Sequence, residues 1–188
     1  LKPENVLLPP ASDPEDAVDA LLRGRGVAQV CDMGCAELED EVDHDAHSVR
    51  GTLNYRAPEV LLGGRFGSAA DVWSVGCCVF EMVTGERCFD VREEDTQLGR
   101  DFELLALWME LMGPPPKRVL HAGACVRTYF SRRGEPKHVR CRGVERWPLP
   151  DVLRDKYEVR DADTVAAFVT RMLTWSPHVR ATADGAPC

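Results

Sequence analysis

The stretch from Ala69 to Thr84 constrains this chain more than any other. Its apolar residues (Val72, Trp73, Val75, Val79, Phe80, Met82 and Val83) fall on nearly all sides of a helical projection. A helix that is apolar all round is buried, so this one is predicted to run through the core. Ser68 reads as its N-cap and Gly85 as its stop. A fold with one central helix needs other elements packed around it.

The remaining pattern supplies them. Asp101 precedes an amphipathic helix predicted from Phe102 to Met112, closed by Gly113 and three prolines. Val152–Lys156 and Thr164–Trp175 read as further helices, the second with Val165, Phe168, Val169 and Met172 on one face. Residues 118–147 are rich in basic side chains and weakly periodic, which predicts loop with short helices. Val6–Leu8 and Val27–Cys31 read as two short strands. Pro9–Asp19, rich in Pro, Asp and Ala, reads as a solvated linker, and the carboxylates of Glu37–Asp45 as an exposed, mobile loop. The chain is therefore predicted to be mostly helical with a minor β element, in a single domain.

Bulk properties narrow the class. Hydrophobic residues make up 44% and charged residues 29%, as in a globular protein. No apolar run approaches a membrane span and no signal-peptide pattern opens the chain, which predicts no membrane partner. A net charge of −8 disfavours nucleic acid as the main partner and suits a basic protein. The eight cysteines have neither disulfide nor zinc spacing; Cys31 and Cys35 lack the tight pairing of a zinc knuckle. They read as buried free thiols of a reducing compartment, the cytoplasm or nucleus. His44 and His47 read as exposed loop residues.

Several motifs carry possible chemistry. Lys2-Pro3-Glu4-Asn5 runs directly into the first strand, and Asp32-Met33-Gly34 ends the second. Gly51-Thr52-Leu53-Asn54-Tyr55-Arg56-Ala57-Pro58-Glu59 follows, then Asp71-Val72-Trp73-Ser74-Val75-Gly76 at the start of the buried helix, and Arg180-Ala181-Thr182 near the end. In this order they resemble the C-terminal lobe of a eukaryotic protein kinase catalytic domain, over essentially the whole chain.

The resemblance implies a fold and a site. The fold is α+β and kinase-like, here the mainly α-helical C-terminal lobe with a short β-hairpin near the N-terminus. Phosphoryl transfer from ATP needs metal ions on the phosphates, a base near the attacking hydroxyl and a cation near the transferring group. By resemblance Asn5 and Asp32 are magnesium ligands, Lys2 contacts phosphate, and Thr52 hydrogen-bonds Lys2 and the catalytic Asp. That Asp would fall immediately before Leu1, so the chain is expected to be truncated at both ends and inactive alone. Met33 would pack as a hydrophobic peg. Glu59 would pair with Arg180 in a buried ion pair, and Asp71 would accept backbone N–H bonds from the catalytic loop. ATP and Mg2+ are the implied cofactors.

Tyr55-Arg56-Ala57-Pro58-Glu59 looks like the branch holding cyclin-dependent, mitogen-activated, dual-specificity and SR-protein kinases. Leu111–Pro116, Arg132-Arg133-Gly134-Glu135, Lys137-His138-Val139 and Asp151-Val152-Leu153 are similar to SR-protein kinases. Those enzymes phosphorylate arginine–serine repeats and grip them in an acidic groove, whose residues fall here on Glu86, Glu103, Glu110 and Lys156. Glu103 and Glu110 are seven apart and so share one helix face. Arginine–serine-rich proteins are thus the implied partners of a monomeric serine/threonine kinase. The chain departs from the pattern in two places: only Pro9–Gly26 stands where those enzymes carry a long spacer, and the Ala-Pro-Glu triplet is complete. The acidic run suggests that Ser48 need not be phosphorylated for activity. The alternatives are another cyclin-dependent or dual-specificity-like kinase, and a non-catalytic pseudokinase-like binding module.

Overall fold

The computed structural model describes residues 1–38, 51–91 and 96–184. Most of the acidic run, His44, His47 and Ser48 lie outside the described residues. The first strand, β1 (Val6–Leu7), pairs antiparallel with β2 (Gln29–Val30) in the register Val6 to Val30 and Leu7 to Gln29. Between them runs α1 (Pro14–Leu22), where a linker was predicted. The local chemistry explains the difference. The Asp13 carboxylate accepts from the Asp16 N–H at 2.9 Å, and Pro14 occupies the first helical position, where its missing N–H costs nothing.

A short helix, α2 (Pro58–Leu61), leads to the central α3 (Ser68–Thr84). Gly67, rather than Ser68, is the N-cap. Gly85 ends the helix at φ +76°, a conformation that favours glycine, with its N–H on the Glu81 carbonyl. Trp73, Cys77 and Phe80 are buried, but Met82 is 79% exposed and Val75 and Val83 are also open. The helix is thus half-covered rather than buried all round, because neighbouring elements reach only one side of its apolar surface. On that side Trp73 stacks on Phe89 with ring centroids 5.6 Å apart and meets Trp108 edge-on, and Trp108 in turn meets Trp175 edge-on. At Gly76 the chain around Met172 and Leu173 comes so close that a Cβ would lie 2.9 Å from each side chain. Of the cysteines expected to be buried, Cys77, Cys78 and Cys141 are, whereas Cys31, Cys88 and Cys125 are half-buried and Cys35 is exposed.

The second long helix, α4 (Gln97–Met112), starts a turn earlier than the pattern suggests. Thr96 is its cap, accepting from the Gly99 N–H at 3.0 Å. Asp101 is therefore no cap. It is buried within the first turns, accepting from the Tyr129 hydroxyl at 2.9 Å and the Gln97 amide at 2.8 Å. Beyond Gly113 come α5 (Lys117–Ala122) and α6 (Val126–Tyr129), matching the short helices predicted in a loop-rich region. Then α7 (Leu149–Asp151) widens into a π-helical turn, Val152–Lys156, around the fully buried Leu153. The last helix, α8 (Ala162–Thr170), is shorter than predicted and rotated: it buries Ala162, Ala166 and Val169, while Phe168 is 58% exposed. Small residues on the inner face let α8 approach α3 closely, which turns Phe168 outward.

Candidate active site and docking groove

The two strand ends bring the first pair of predicted site residues together. Asn5 closes a 3-10 turn, Pro3–Asn5, just before β1, and Asp32 follows β2. The Asn5 Nδ2 donates to Asp32 Oδ2 at 3.2 Å. The Cys31 N–H donates to the Asn5 carbonyl at 2.9 Å, so the hairpin ladder itself sets this approach. Asp32 sits at φ +61°, a left-handed conformation that Asp tolerates better than most side chains. Both residues line a cleft of about 530 Å³ together with Leu1, Thr52, Tyr55 and Asp71.

Other predicted residues of this site are placed differently. Lys2 is half-buried in the same 3-10 turn but is not among the residues lining the cleft, and it makes no hydrogen bond with Thr52 among the described residues. Asp71 accepts no backbone N–H there; its Oδ1 lies 4.0 Å from the Leu1 nitrogen and its side chain is 69% exposed. Met33 is 61% exposed and does not pack as a peg, since no described neighbour covers it.

Oxygen donors suit magnesium, which is commonly held by one or two protein carboxylates with phosphates and water completing its shell. Asp32 supplies a carboxylate and Asn5 an amide oxygen at the mouth of a cleft large enough for a nucleotide's phosphates, so the residues fit the ion. Among the described residues no group of three or more His, Cys, Asp or Glu offers an all-protein cage.

Beneath the cleft lies a buried ion pair. Arg180 Nη1 and Nη2 donate to the two Glu59 carboxylate oxygens at 2.6 and 2.9 Å. The same guanidinium donates to the Ala69 carbonyl at 2.7 Å and the Thr174 carbonyl at 3.0 Å, and lies over the Trp73 ring. Four hydrogen bonds from Nη1 and Nη2 and an aromatic face replace most of the water that this fully buried charge gives up, while Nε has no hydrogen-bond partner among the described residues.

A second concavity, about 320 Å³, opens between the end of α3, α4 and the π-helical turn. Glu86, Glu103, Glu110 and Lys156 all line it, with Trp147 and Tyr157. Glu86 Oε2 accepts from the Tyr157 hydroxyl at 2.9 Å and from Lys156 Nζ at 3.3 Å, and these bonds hold its carboxyl below the usual range. Lys156 also donates to the Tyr157 hydroxyl at 2.7 Å. Glu103 is nearly buried. Its Oε2 faces Arg140 Nη1 at 3.4 Å yet accepts no hydrogen bond among the described residues.

The family model for the protein kinase domain matches residues 1–187. The chain belongs to the protein kinases. Among curated proteins it is 36% identical over 159 residues to the serine/threonine-protein kinase SKY1 of Saccharomyces cerevisiae, covering 84% of this chain and 21% of that protein. It is 36% identical over 159 residues to the serine/threonine-protein kinase SRPK of Physarum polycephalum, covering 84% and 36%. Against the human SRSF protein kinase 3 it is 37% identical over 134 residues, covering 70% and 23%. The chain spans 21 to 36% of the lengths of these relatives.

Some residues that shape this kinase lobe have no signature in the sequence. Arg56 is buried beside Asp101 and Tyr129 and donates to the Gly51 carbonyl at 2.9 Å. Burial pulls its guanidinium below its ordinary value, and the Asp101 carboxylate opposes that shift. The Tyr55 hydroxyl donates to Glu81 at 2.6 Å and anchors the same segment on α3. Trp147 and Tyr157 give the acidic groove aromatic walls, and only its charges are legible in the sequence.

Proposed function

We propose that these residues form the C-terminal lobe of a serine/threonine protein kinase that transfers a phosphoryl group from Mg-ATP to serines of arginine–serine-rich proteins. Magnesium held by Asp32 and Asn5 would neutralise phosphate charge. The hairpin fixes these two ligands relative to each other, while the Glu59–Arg180 pair braces the segment carrying Thr52 against α3. Cytoplasm and nucleus, where such substrates occur, are the proposed locations.

The observation that carries the substrate assignment is the convergence of Glu86, Glu103 and Glu110 on one groove. Three carboxylates at one groove steer a basic peptide by long-range attraction. Trp147, 37% exposed, offers a ring face for a guanidinium.

The test is titration of an arginine–serine octapeptide into the chain. Glu103→Lys with Glu110→Lys is expected to weaken binding by about tenfold or more, and unchanged affinity rejects the groove. Phosphate transfer to that peptide is then followed in the protein that carries this chain, with Asp32→Asn as control. Peptide binding without Mg-nucleotide binding in the unaltered protein assigns it to a non-catalytic module instead.

A further inference from the structure

The chain's charge is distributed unevenly. It holds 31 acidic and 23 basic side chains, yet residues 117–146 contain nine Lys or Arg against two carboxylates. All nine are exposed. The densest part is the turn after α6, where Phe130 and Pro136 form an isolated bridge and Ser131 closes the loop onto Glu135.

Five cations gather there: Arg127, Arg132, Arg133, Lys137 and Arg142. The loop is stitched by its own positive groups acting on neutral carbonyls. Arg127 donates to the Ser131 carbonyl at 2.6 Å, Lys137 to that of Arg127, and Arg142 to those of Pro136 and Lys137 at 3.2 and 3.0 Å. None of the five pairs with a carboxylate among the described residues. Elsewhere Arg23, Arg25, Arg87, Arg154, Lys156 and Arg180 are each ion-paired. Glu135 is the one carboxylate within this loop, so five cations leave a positive excess that is unfavourable, and a bound anion relieves it. Arg132 and Arg133 carry no side-chain bond among the described residues, so their planar forks are open to bidentate acceptors.

We infer that this loop is a docking surface for a phosphoserine-bearing peptide, the form that an arginine–serine substrate takes after transfer. The occupant rests on the proposed function; the basic surface does not. Each phosphoserine carries a charge of about −1.5 to −2 at pH 7, so phosphorylation turns an arginine–serine repeat from cationic to anionic. Its attraction to the acidic groove is then lost. The adjoining surface has the opposite sign, and Arg140, paired with Glu103, marks where the two meet. The overall net charge of −8 and the small extent of the loop favour a short phosphopeptide over an extended nucleic acid.

The experiment measures fluorescence anisotropy of four probes on the full 188-residue chain: an arginine–serine peptide, its phosphorylated form, a glutamate-for-serine form and a single-stranded oligouridylate. The phosphopeptide is expected to bind more tightly than the charge-balanced glutamate peptide or the oligouridylate. Arg132→Gln with Arg133→Gln should weaken it about tenfold, and the Lys pair should weaken it less, with an unchanged melting curve. Glu103→Lys with Glu110→Lys should leave phosphopeptide binding intact while weakening the unmodified peptide. Phosphopeptide affinity that ignores the Gln pair, or equal or tighter binding of the glutamate peptide or oligouridylate, overturns the inference. Failure of the unmodified peptide alone sinks the acidic groove and leaves the basic surface standing.

Discussion

The helical part of the lobe and its N-terminal hairpin are held in opposite ways. Around α3 and α4, four aromatic rings interlock and a fully buried arginine is met by four hydrogen bonds. In residues 1–38 only Ala17 is buried, and all four strand residues are exposed. Yet the hairpin carries Asn5 and Asp32, whereas the helical part carries the fold. The lesson concerns where rigidity resides. The approach of Asn5 to Asp32 hangs on two strand pairs and one side-chain bond, so it can change without disturbing the core that positions it.

The sharpest way to break this comparison is at Arg180. Replacing it with Ala strands the Glu59 carboxylate in a dry interior and removes the bonds to Ala69 and Thr174. The expected loss is about 3 to 5 kcal/mol of stability, read from the midpoint of chemical denaturation. A loss under about 1 kcal/mol would mean that water or rearrangement satisfies the carboxylate, and that the core is less dry than its burial implies. Against this, Asp32→Asn should change stability by no more than about 0.5 kcal/mol, since Asn tolerates the same left-handed backbone and the site is exposed.

Amide hydrogen exchange sharpens the same contrast with a smaller effect. Trp73 to Phe80 in α3 should exchange only through global unfolding, while the amides of Val6 to Leu7 and Gln29 to Val30 should open locally and exchange faster by orders of magnitude. Equal protection in both would show that hairpin and core unfold as one unit.

What was legible in the sequence follows the range of the interactions. The two long helices show in their apolar periodicity, and the strands in short apolar runs beside turn residues. The link between Glu59 and Arg180 spans most of the chain, and only the resemblance to kinases pointed to it. Composition misled at Pro9–Asp19, where Asp13-Pro14 was in fact a start signal for α1. A carboxylate before an apolar run misled at Asp101, because its true partner, Tyr129, sits on another helix and leaves no local pattern. Met33 was assigned to a packed position by the resemblance and Phe168 by helical periodicity; their exposure depends on which neighbours reach them. The Arg56–Asp101–Tyr129 cluster joins three separate segments, and no spacing rule finds it.

The groove offers the finest test, because it places an exposed electrostatic device on the rigid half. Glu86 is held below its ordinary value first by the Tyr157 hydroxyl and then by Lys156. A carboxylate with a lowered folded-state value contributes fully above its unfolded range and loses that contribution as the pH falls through the lowered value. Tyr157→Phe deletes the first cause and keeps the ring that lies under the Lys156 ammonium. Glu86 should then protonate at higher pH than in the unaltered protein, seen directly by carboxyl carbon NMR. The acid limb of arginine–serine peptide affinity should move up with it, and the melting temperature should fall slightly at neutral pH, where the lost bond contributed, with the difference fading in acid. An unmoved titration would show that Lys156 alone sets the carboxylate. A melting temperature lowered as much in acid, where Glu86 is neutral in both proteins, would show that the Tyr157 hydroxyl supports the core beneath the groove and not the carboxylate alone.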